Sequence, residues 1–534
     1  MNHGCLWRGA LCALVALASV PASRAGAPDS ARRPNIVLIL VDDLGYADLG
    51  CYGGEIHTPN LDRLAAQGMR WRNFYNAAQC CPTRASLLTG LYPHQAGIGD
   101  MIDPHSDLIR QHANSPQYSD HLSRSAVTIA ELLRDAGYCT YMVGKWHLGY
   151  RAGERPRDRG FDRYFGIIGG ADSYWKPRSL YLDDEPVKEV PQGFHATDAF
   201  TTKAIEFISE KKEQPFFLYL AYNAPHAPFH AHEADIAKYK ATYQVGWDVI
   251  RERRFARQKE LGFWPKDLAL PERDPTSQPW TGSPEQLKLA ERMAIYAAMV
   301  DRIDQNIGRL LEALSKQGIR EDTLILFLSD NGAWASSATY GIEWAETGNT
   351  PFRLFKLFVH EGGICTPFIA CWPRRIPAGV LDTRRYGHVK DIMATCLELA
   401  GATYPETYQG RRLIPLEGYS LVPFLLDPNK EYRPTLFWER MGNSAVREGR
   451  WKLVRYYNDS RVKEVSFGPR TGKWELFDLA TDPNERSNLV EKHPDIAARL
   501  RAQYEAWEQR VGVVPRERIM ERIAEAAKKE QAQP

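Results

Sequence analysis

Four short apolar runs in this sequence are each followed at once by polar side chains of the kinds that take part in catalysis. The polar pairs are Asp42 with Asp43, Lys145 with His147, Asn223 with His226, and Asp330 with Asn331. One such pair alone most often caps the next turn of the chain. Four pairs, each placed directly after an apolar run, favour a single shared site.

The acidic and amide members of these pairs offer only oxygen as a metal ligand. They are Asp42, Asp43, Asp330 and Asn331. Oxygen ligands suit the hard cations Ca²⁺ and Mg²⁺, whereas zinc prefers His and Cys. The histidines of the pairs also lack the His-x-x-x-His spacing on one helix that makes a zinc site recognisable. We therefore predict one divalent metal ion, Ca²⁺ in the first place, with Mg²⁺ as the alternative.

Basic side chains near these pairs supply positive charge and proton donors. Lys145, His147 and His226 belong to the pairs, and Arg84 lies in a separate segment that contains two cysteines. Each of them alone would most often be a surface charge or a core histidine. Together with a metal ion, they suit a substrate that carries a tetrahedral oxyanion.

The apolar runs predict the strands of an α/β fold. Residues 35–41 predict a buried strand, and Thr58 and Pro59 predict the N-cap and first turn of the next helix. Three further units of helix and strand end in strands at 138–143, 216–221 and 323–329. This pattern is typical of a large, doubly wound, mainly parallel sheet flanked by helices. Ligands bind outside the carboxyl ends of the strands in such sheets, which is where the polar pairs lie.

Composition divides the chain into regions. Residues 33–430 are predicted to form the catalytic domain, with an insertion at about 230–284 whose basic run 251–259 reads as a solvated helix face. Residues 431–515 predict a smaller C-terminal α+β domain, in which strands at 435–439, 451–456 and 474–478 form a short antiparallel sheet before a helix. Residues 516–534 read as a polar, partly ordered tail.

The N-terminus has the features of a secretory signal peptide over residues 1–25. Arg8 precedes an apolar run from Ala10 to Val20, and small residues follow as far as Ala25. The run is shorter than the about 20 residues that a bilayer requires, so we predict no stable membrane insertion. We expect an exported protein that is periplasmic or extracellular, or that lies in a lysosome-type lumen if its source is eukaryotic.

Charge and cysteine counts add two constraints. Lys and Arg number 68 against 66 Asp and Glu, so the formal net charge is only +2. Dedicated nucleic-acid binding needs a concentrated positive field, and we predict no nucleic-acid partner. Seven cysteines remain after the signal, an odd number that leaves at least one thiol without a disulfide partner in an oxidising compartment.

The segment Cys80-Cys81-Pro82-Thr83-Arg84, followed by a short apolar stretch and Thr89-Gly90, resembles the signature of the formylglycine-dependent sulfatases of the alkaline phosphatase superfamily. The resemblance spans most of the mature chain and includes the polar pairs and Lys356 with Glu361-Gly362-Gly363. Within the family, Gly246-Trp247-Asp248 and the insertion around it look most like bacterial-type arylsulfatases. Two positions depart from the family pattern. Thr83 stands where many members have Ser, and Ile364-Cys365-Thr366 replaces Ile-Arg-Val.

This resemblance implies a hydrolase that converts sulfate monoesters, aryl sulfates first, to an alcohol or phenol and inorganic sulfate. It implies that a maturation enzyme oxidises Cys80 to formylglycine, which carries the sulfate in a sulfo-enzyme intermediate. A small sulfated substrate is the other expected partner. The implied metal ligands are Asp42, Asp43, Cys80, Asp330 and Asn331. The implied catalytic residues are Cys80 as nucleophile, Arg84 and Lys145 at the hydrated aldehyde, His226 and Lys356 at the sulfate, and His147 as the base that lets sulfate leave.

Three other interpretations stay open at this level. A Cys80 thiolate paired with a histidine is another nucleophile, but it leaves the four oxygen ligands unexplained. Hydrolysis of phosphonate monoesters or phosphodiesters is a second enzymatic function, and a non-catalytic sulfate-binding protein is a different class. Asp172, Tyr174 and Trp175 fit a substrate-pocket wall and ordinary loop packing equally well.

Overall fold

The main sheet contains ten strands in the part of the chain that the computed structural model describes, namely residues 1–4, 33–102, 107–210, 213–273, 277–336, 339–457 and 472–531. In chain order they are β1 (Asn35–Val41), β2 (Met69–Tyr75), β3 (Cys139–Gly144), β4 (Arg163–Ile167), β5 (Leu180–Leu182), β6 (Glu185–Pro186), β7 (Phe216–Ala221), β8 (Thr323–Ser329), β9 (Phe368–Cys371) and β10 (Val380–His388). Their order across the sheet is β10-β2-β9-β8-β1-β7-β3-β4-β5-β6.

Parallel pairing dominates the centre of this sheet. Strand β1 pairs in parallel with β7 on one side and β8 on the other, and β3 pairs in parallel with β7. Strand β9 is antiparallel to both of its neighbours, and β5 and β6 form an antiparallel edge. The predicted mainly parallel α/β sheet is confirmed, and the four strands predicted from the apolar runs are its four adjacent central strands.

Helices cover both faces of the sheet. In chain order the α-helices of the described residues are α1 (Pro59–Ala66), α2 (Cys80–Thr89), α3 (Asp107–Ala113), α4 (Ile129–Asp135), α5 (Ala196–Glu210), α6 (Glu233–Ala237), α7 (Trp247–Glu260), α8 (Pro284–Lys316), α9 (Gly341–Gly348), α10 (Glu361–Ile364), α11 (Asp391–Ala400), α12 (Val422–Leu426), α13 (Pro494–Val511) and α14 (Arg516–Gln531). Val37 and Ile39 of β1 belong to a core shared with α1, α5 and α8, whereas Ile36 and Leu38 belong to a core shared with α2, α4 and α11. Successive side chains of a strand point to opposite faces, so a continuous apolar run is what a strand covered on both faces requires.

Helix α1 begins where the sequence predicts it, but its capping group comes from another helix. Thr58 occupies the N-cap position without making the expected side-chain cap bond. Instead the Asp304 carboxylate of α8 accepts the amide hydrogens of Asn60 (3.1 Å) and Leu61 (2.7 Å). The first-turn amides are therefore satisfied by a contact between helices, which no local pattern reveals.

A small antiparallel sheet follows the main sheet in sequence, as predicted. After the short pair β11 (Thr407–Tyr408) and β12 (Arg411–Arg412), its strands are β13 (Leu436–Arg440), β14 (Asn443–Glu448), β15 (Trp451–Arg455) and β16 (Glu475–Asp478). Strand β14 was not predicted, because its alternation is obscured by Asn443, Ser444 and Arg447, all of which are buried here.

Two regions differ from the sequence prediction. Arg254 of α7 is not on a solvated face: it is 1 % exposed and pairs with Asp48 (2.6 Å) and Glu55 (2.7 Å). Residues 516–531 form helix α14 rather than a partly ordered tail, because Ile519 packs in an apolar cluster with Ile109 and Tyr118 of the α3 region. Both differences arise from tertiary contacts, which pair the Arg254 charge in one case and bury the Ile519 side chain in the other.

The predicted signal peptide is outside this description, since residues 5–32 are not among the described residues. None of the helices in the described part of the chain has the length and apolar character that crossing a bilayer requires.

Candidate functional site

The loop after β1 brings two carboxylates to the carboxyl edge of the sheet. The amide of Asp42 donates to the carbonyl of Ala224 after β7 (3.0 Å), and the amide of Asp43 donates to Asp330 Oδ1 after β8 (3.3 Å). Asp43 has a φ of 66°, a left-handed conformation that Asp tolerates better than most residues. The Tyr296 hydroxyl of α8 donates to Asp48 Oδ2 (2.6 Å) and lies 3.3 Å from the Asp43 carbonyl, on the α8 side of this turn.

Two buried cations neutralise the first of these carboxylates. Lys145 Nζ lies 2.5 Å from Asp42 Oδ2, and Arg84 Nη2 lies 3.3 Å from the same oxygen. Arg84 also pairs with Asp330 Oδ2 at 2.9 Å, and all four side chains are buried. Burial alone would raise the pKa of Asp42, but the charges of Lys145, His226 and Arg84 outweigh it and hold that pKa far below its ordinary value.

Cys80 begins α2, so its side chain stands at a helix N-terminus among these charges. Its Sγ lies 3.5 Å from Asp42 Oδ1 and 3.2 Å from Lys356 Nζ. Burial and the Asp42 carboxylate raise the pKa of the Cys80 thiol well above its ordinary value, although Lys145 and Lys356 oppose them. This disfavours the alternative of a thiolate nucleophile, which needs a lowered pKa.

Lys356 lies in an irregular segment whose backbone is hydrogen-bonded both to the loop after β8 and to the loop before α2. Its Nζ lies 2.6 Å from Asp43 Oδ1. The Lys356 amide donates to the carbonyl of Ala333 (3.1 Å), and the Leu357 amide donates to the carbonyl of Ala78, two residues before Cys80 (3.0 Å). The half-buried ring of Trp334 lies with its centroid 5.5 Å from Lys356 Nζ. Sequence reasoning missed Trp334, although its place four residues after Asp330 was a usable signal.

The two predicted histidines occupy different positions. His226 Nε2 lies 3.6 Å from Asp43 Oδ2, and its side chain is 20 % exposed, so it faces the solvent side of the cluster. His147 is buried, and its Nε2 lies 3.1 Å from the carbonyl of Ile102, which was also missed. Burial and the charge of Lys145 lower the pKa of His147 well below its ordinary value. His147 is thus neutral near pH 7, with Nδ1 lacking a hydrogen-bond partner in the described residues.

The oxygen-rich part of the cluster fits a divalent cation. Asp43 Oδ2 and Asn331 Oδ1 are buried and accept no hydrogen bond from the described residues. Ligand atoms of Asp42, Asp43, Cys80 and His226 lie within 4.8 Å of one another. Burial and the Asp42 charge raise the pKa of Asp330 to about 7, despite Arg84. A hard cation would satisfy the open oxygens and remove the repulsion that raises this pKa.

The structure brings nine of the ten predicted site residues into one connected cluster. They are Asp42, Asp43, Cys80, Arg84, Lys145, His226, Asp330, Asn331 and Lys356. In the described part of the chain the His147 ring forms no hydrogen bond with these nine residues, but it lies two residues after Lys145, whose charge acts on it. Of the residues suggested for a pocket wall, Tyr174 is buried, and its hydroxyl lies 2.7 Å from the carbonyl oxygens of both Asn223 and His226, to either of which it can donate. Asp172 accepts hydrogen bonds within its own loop from Arg178 and Ser179.

Comparison with known proteins identifies the family to which the chain belongs. A family model described as Sulfatase matches residues 34–402, and one described as the C-terminal part of N-sulphoglucosamine sulphohydrolase matches residues 352–510. The chain belongs to the sulfatase family. This sulfatase is therefore a sulfuric ester hydrolase, and its cluster at the carboxyl edge of the sheet lies within the matched region.

Individual relatives agree with this assignment. This sulfatase is 32 % identical to an uncharacterised sulfatase of Schizosaccharomyces pombe, over 90 % of this chain and 95 % of that one. It is 34 % identical to an arylsulfatase of Klebsiella aerogenes, over 73 % of this chain and 91 % of that one. The crystal structure of Ps i-CgsB in complex with k-i-k-neocarrahexaose has a TM-score of 0.67 and 28 % identity, covering 89 % of this chain and 93 % of that one.

Proposed function

We propose that this protein hydrolyses aryl sulfate monoesters with a formylglycine made from Cys80 and with one bound Ca²⁺. The observation that carries the proposal is the position of Cys80, whose side chain meets a carboxylate on one side and an ammonium on the other. A thiol with a raised pKa is a poor nucleophile in this position. An oxygen nucleophile at the same point would lie beside the cluster of oxygen ligands.

Two groups that the chain must acquire would supply the central chemistry. A divalent cation held by Asp42, Asp43, Asp330 and Asn331 would polarise a sulfate oxygen and favour deprotonated oxygen at position 80. A hydrated formylglycine would supply two hydroxyl groups on one carbon, one to attack sulfur and one whose loss of a proton expels sulfate.

The chain's own cations would bind the ester. Lys356 Nζ stands 3.2 Å from the Cys80 side chain and would hold a sulfate oxygen beside the point of attack. His226 faces the solvent side, where the ester must enter. Burial lowers the pKa of His226 in the protein alone, but an anionic ester beside it would favour the charged imidazolium. His226 and Lys356 are then placed to protonate the leaving phenol, which typically contributes about 100- to 10,000-fold.

His147 is the proposed base. Its Nε2–H donates to the Ile102 carbonyl, which leaves Nδ1 as the atom that accepts a proton. Because the pKa of His147 is held low by burial and by Lys145, the ring is neutral and able to accept that proton near pH 7. Arg84 and Lys145 would keep Asp42 ionised, and Arg84 would orient Asp330, whose ionisation would depend on the bound cation.

The preference for an aryl group rests on two observations. The identity to the Klebsiella aerogenes arylsulfatase is 34 %, and the half-buried Trp334 ring lies next to Lys356. An aromatic ring stacks well on an indole. The structural relative seen with k-i-k-neocarrahexaose makes a sulfated sugar the competing substrate class.

Export and maturation complete the proposal. The Arg8 and Ala10 to Val20 pattern supports removal of residues 1–25 during export. The Cys80-Cys81-Pro82-Thr83-Arg84 segment supports recognition by a formylglycine-generating enzyme, with Thr83 as a position that affects the efficiency of conversion.

The test is a panel of esters assayed on protein made in a host with the maturation enzyme. An aryl sulfate, a sulfated monosaccharide and the phosphate ester of the same phenol are compared for wild type, Cys80→Ser and Cys81→Ser. Cys81 is the matched control, because it is an adjacent buried thiol that accepts the amide of Ile102 (3.2 Å) instead of facing Asp42. We expect the highest kcat/KM on the aryl sulfate, with activity lost in Cys80→Ser and kept in Cys81→Ser. A faster reaction with the phosphate ester, or equal activity of wild type and Cys80→Ser, would overturn the proposal.

A further inference from the structure

A second cluster of metal-ligand side chains lies at the start of α5, apart from the cluster around Cys80. It consists of His195, Asp198 and His232, and one ligand atom from each lies within 4.8 Å of the others. His195 immediately precedes α5, Asp198 lies in its first turn, and His232 precedes α6. Imidazole nitrogens with a carboxylate suit zinc and similar metals, unlike the oxygen-rich set around Asp42.

His195 has the environment of a preformed metal ligand. It is only 2 % exposed, and its Nε2 lies 3.3 Å from the carbonyl of His230. Donation of Nε2–H to that carbonyl leaves the lone pair on Nδ1, which is buried and has no hydrogen-bond partner in the described residues. A metal-bound histidine characteristically donates its other ring N–H to a backbone carbonyl in this way. Burial lowers the pKa of His195 to about 4, so the ring is neutral at pH 7.

Asp198 is equally well fixed. Arg302 donates to both of its oxygens (2.8 and 2.7 Å), and Asn306 Nδ2 donates to Oδ1 (2.7 Å). Burial would raise the pKa of Asp198, but these hydrogen bonds outweigh it and hold the pKa at about 2. Carboxylates that bind metal are usually oriented by such partners. On its remaining side, Oδ2 lies within hydrogen-bond distance of His232 Nε2.

The spacing of Asp198 and His232 matches adjacent ligands of one ion. His232 Nε2 lies 3.3 Å from Asp198 Oδ2. Two ligands of a tetrahedral zinc with bonds of about 2.0–2.1 Å are about 3.3–3.4 Å apart. The Trp175 ring packs edge-on against the rings of His195 (4.6 Å between centroids) and His232 (5.0 Å), which excludes solvent from one side. His232 and Asp198 keep 30 % and 24 % of their side chains exposed, so the other side is open to water.

We infer that His195, Asp198 and His232 form a second metal site, which takes one Zn²⁺ or similar divalent ion with water as its fourth ligand. The inference does not depend on the ester that the protein hydrolyses.

A metal ion at this second site would stabilise the backbone around His226 in the cluster around Cys80. The Ala196 amide donates to the carbonyl of Tyr174 (2.8 Å), and the Tyr174 hydroxyl lies within hydrogen-bond distance of the carbonyls of Asn223 and His226. An ion bound by these three residues would therefore link the start of α5, which contacts His226 through Tyr174, to the segment from His226 to His232.

The test measures Zn²⁺ binding to full-length protein without an affinity tag. Excess Ca²⁺ is present to occupy the oxygen ligands around Asp42, and Zn²⁺ affinity is read by competition with a chromophoric chelator. The variants are His195→Asn and His232→Asn, with His121→Asn as the matched control. His121 lies in a comparable His and carboxylate group with Asp120 and Glu154.

We expect one equivalent of Zn²⁺ in wild type and in His121→Asn. Loss of a direct ligand should weaken binding by at least about 100-fold in the other two variants, since loss of an outer partner alone costs about 10- to 100-fold. Co²⁺ substitution in wild type provides a readout that needs no variant, because its visible spectrum distinguishes tetrahedral nitrogen ligation from six oxygens. Absence of Zn²⁺ binding, an oxygen-only Co²⁺ spectrum, or loss of binding in His121→Asn alone would overturn the inference.

Discussion

At the scale of single residues, the site combines paired charges with a few atoms that have no partner in the described residues. Asp42 is neutralised by Lys145 and Arg84, whereas Asp43 Oδ2 and Asn331 Oδ1 accept no hydrogen bond from any described residue. Buried polar atoms are normally hydrogen-bonded, so open oxygens at one point indicate a ligand. The residue types and their positions after strands allowed this set to be predicted. The Ile102 carbonyl and Gly170 were not predictable, because a backbone contact has no signature in side-chain type.

The first prediction concerns Gly170, whose backbone lies against the ring of His147. A Cβ at Gly170 would lie 2.6 Å from His147 Cε1, which is closer than atoms can approach. Gly170→Ala must therefore displace the proposed base, and we expect kcat on an aryl sulfate to fall by about 10- to 100-fold. Gly169→Ala is the control, since its nearest neighbour would be Ser179 Oγ at 3.7 Å. Equal kcat for the two variants would remove His147 from the proposed role.

The second prediction concerns Asp330 in chelator-treated protein. Burial and Asp42 raise its pKa to about 7, so the folded protein keeps a proton that the unfolded chain releases near pH 4. Stability should therefore fall as pH rises from about 4 to about 7, by at most about 1.4 kcal/mol per pH unit for this group. Denaturant unfolding of wild type at several pH values should show this slope. The Asp330→Asn variant should lack the part of the slope that Asp330 contributes, and added Ca²⁺ should abolish that part in wild type. Identical slopes for both proteins without Ca²⁺ would contradict the cation-dependent charge of Asp330.

At the scale of elements, buried contacts fix the small sheet against the segments that carry the site. Lys452 of β15 is buried between Glu361 (2.7 Å) and Glu485 (2.9 Å). Glu361 begins α10, five residues after Lys356, and Trp438 of β13 donates to the carbonyl of Asn76, four residues before Cys80. The small sheet thus contributes to the placement of both Lys356 and Cys80.

The third prediction follows from this ion pair. Lys452→Met leaves two buried carboxylates without their cation, and we expect a loss of about 3–5 kcal/mol in the free energy of unfolding. Lys316→Met is the control, because Lys316 pairs with Glu312 on the surface and is 74 % exposed. Its loss should cost less than about 1 kcal/mol. Urea unfolding measures both, and equal midpoints would show that Lys452 does not secure the sheet.

The elements themselves divide into those that local pattern reveals and those that it does not. Strands β1, β7 and β8 have the predicted bounds, because continuous apolar runs between turns have few other interpretations. The order of strands in the sheet, the antiparallel insertion of β9 and the helix at 516–531 were not predicted. Each of them depends on partners distant in sequence, such as Ile109 and Tyr118 for Ile519.

At the scale of the whole molecule, the proposed catalytic residues are concentrated at one edge of the main sheet. Strands β8, β1, β7 and β3 lie side by side, and each delivers its polar pair to the same edge. The Sulfatase model matches residues 34–402, which contain every predicted site residue. The nearly balanced charge of the chain is consistent with this arrangement, because the positive field that binds an anionic ester is local rather than global.

The account depends most directly on the chemical state of residue 80. Mass spectrometry of the tryptic peptide from Asn73 to Arg84 tests it, with aldehyde trapping by a hydrazide as the control. The protein is made in a host that contains the maturation enzyme, and the same preparation is assayed on an aryl sulfate. We predict an aldehyde at position 80 in the active protein. A preparation that hydrolyses the sulfate ester but contains only an unmodified thiol at position 80 would contradict the account.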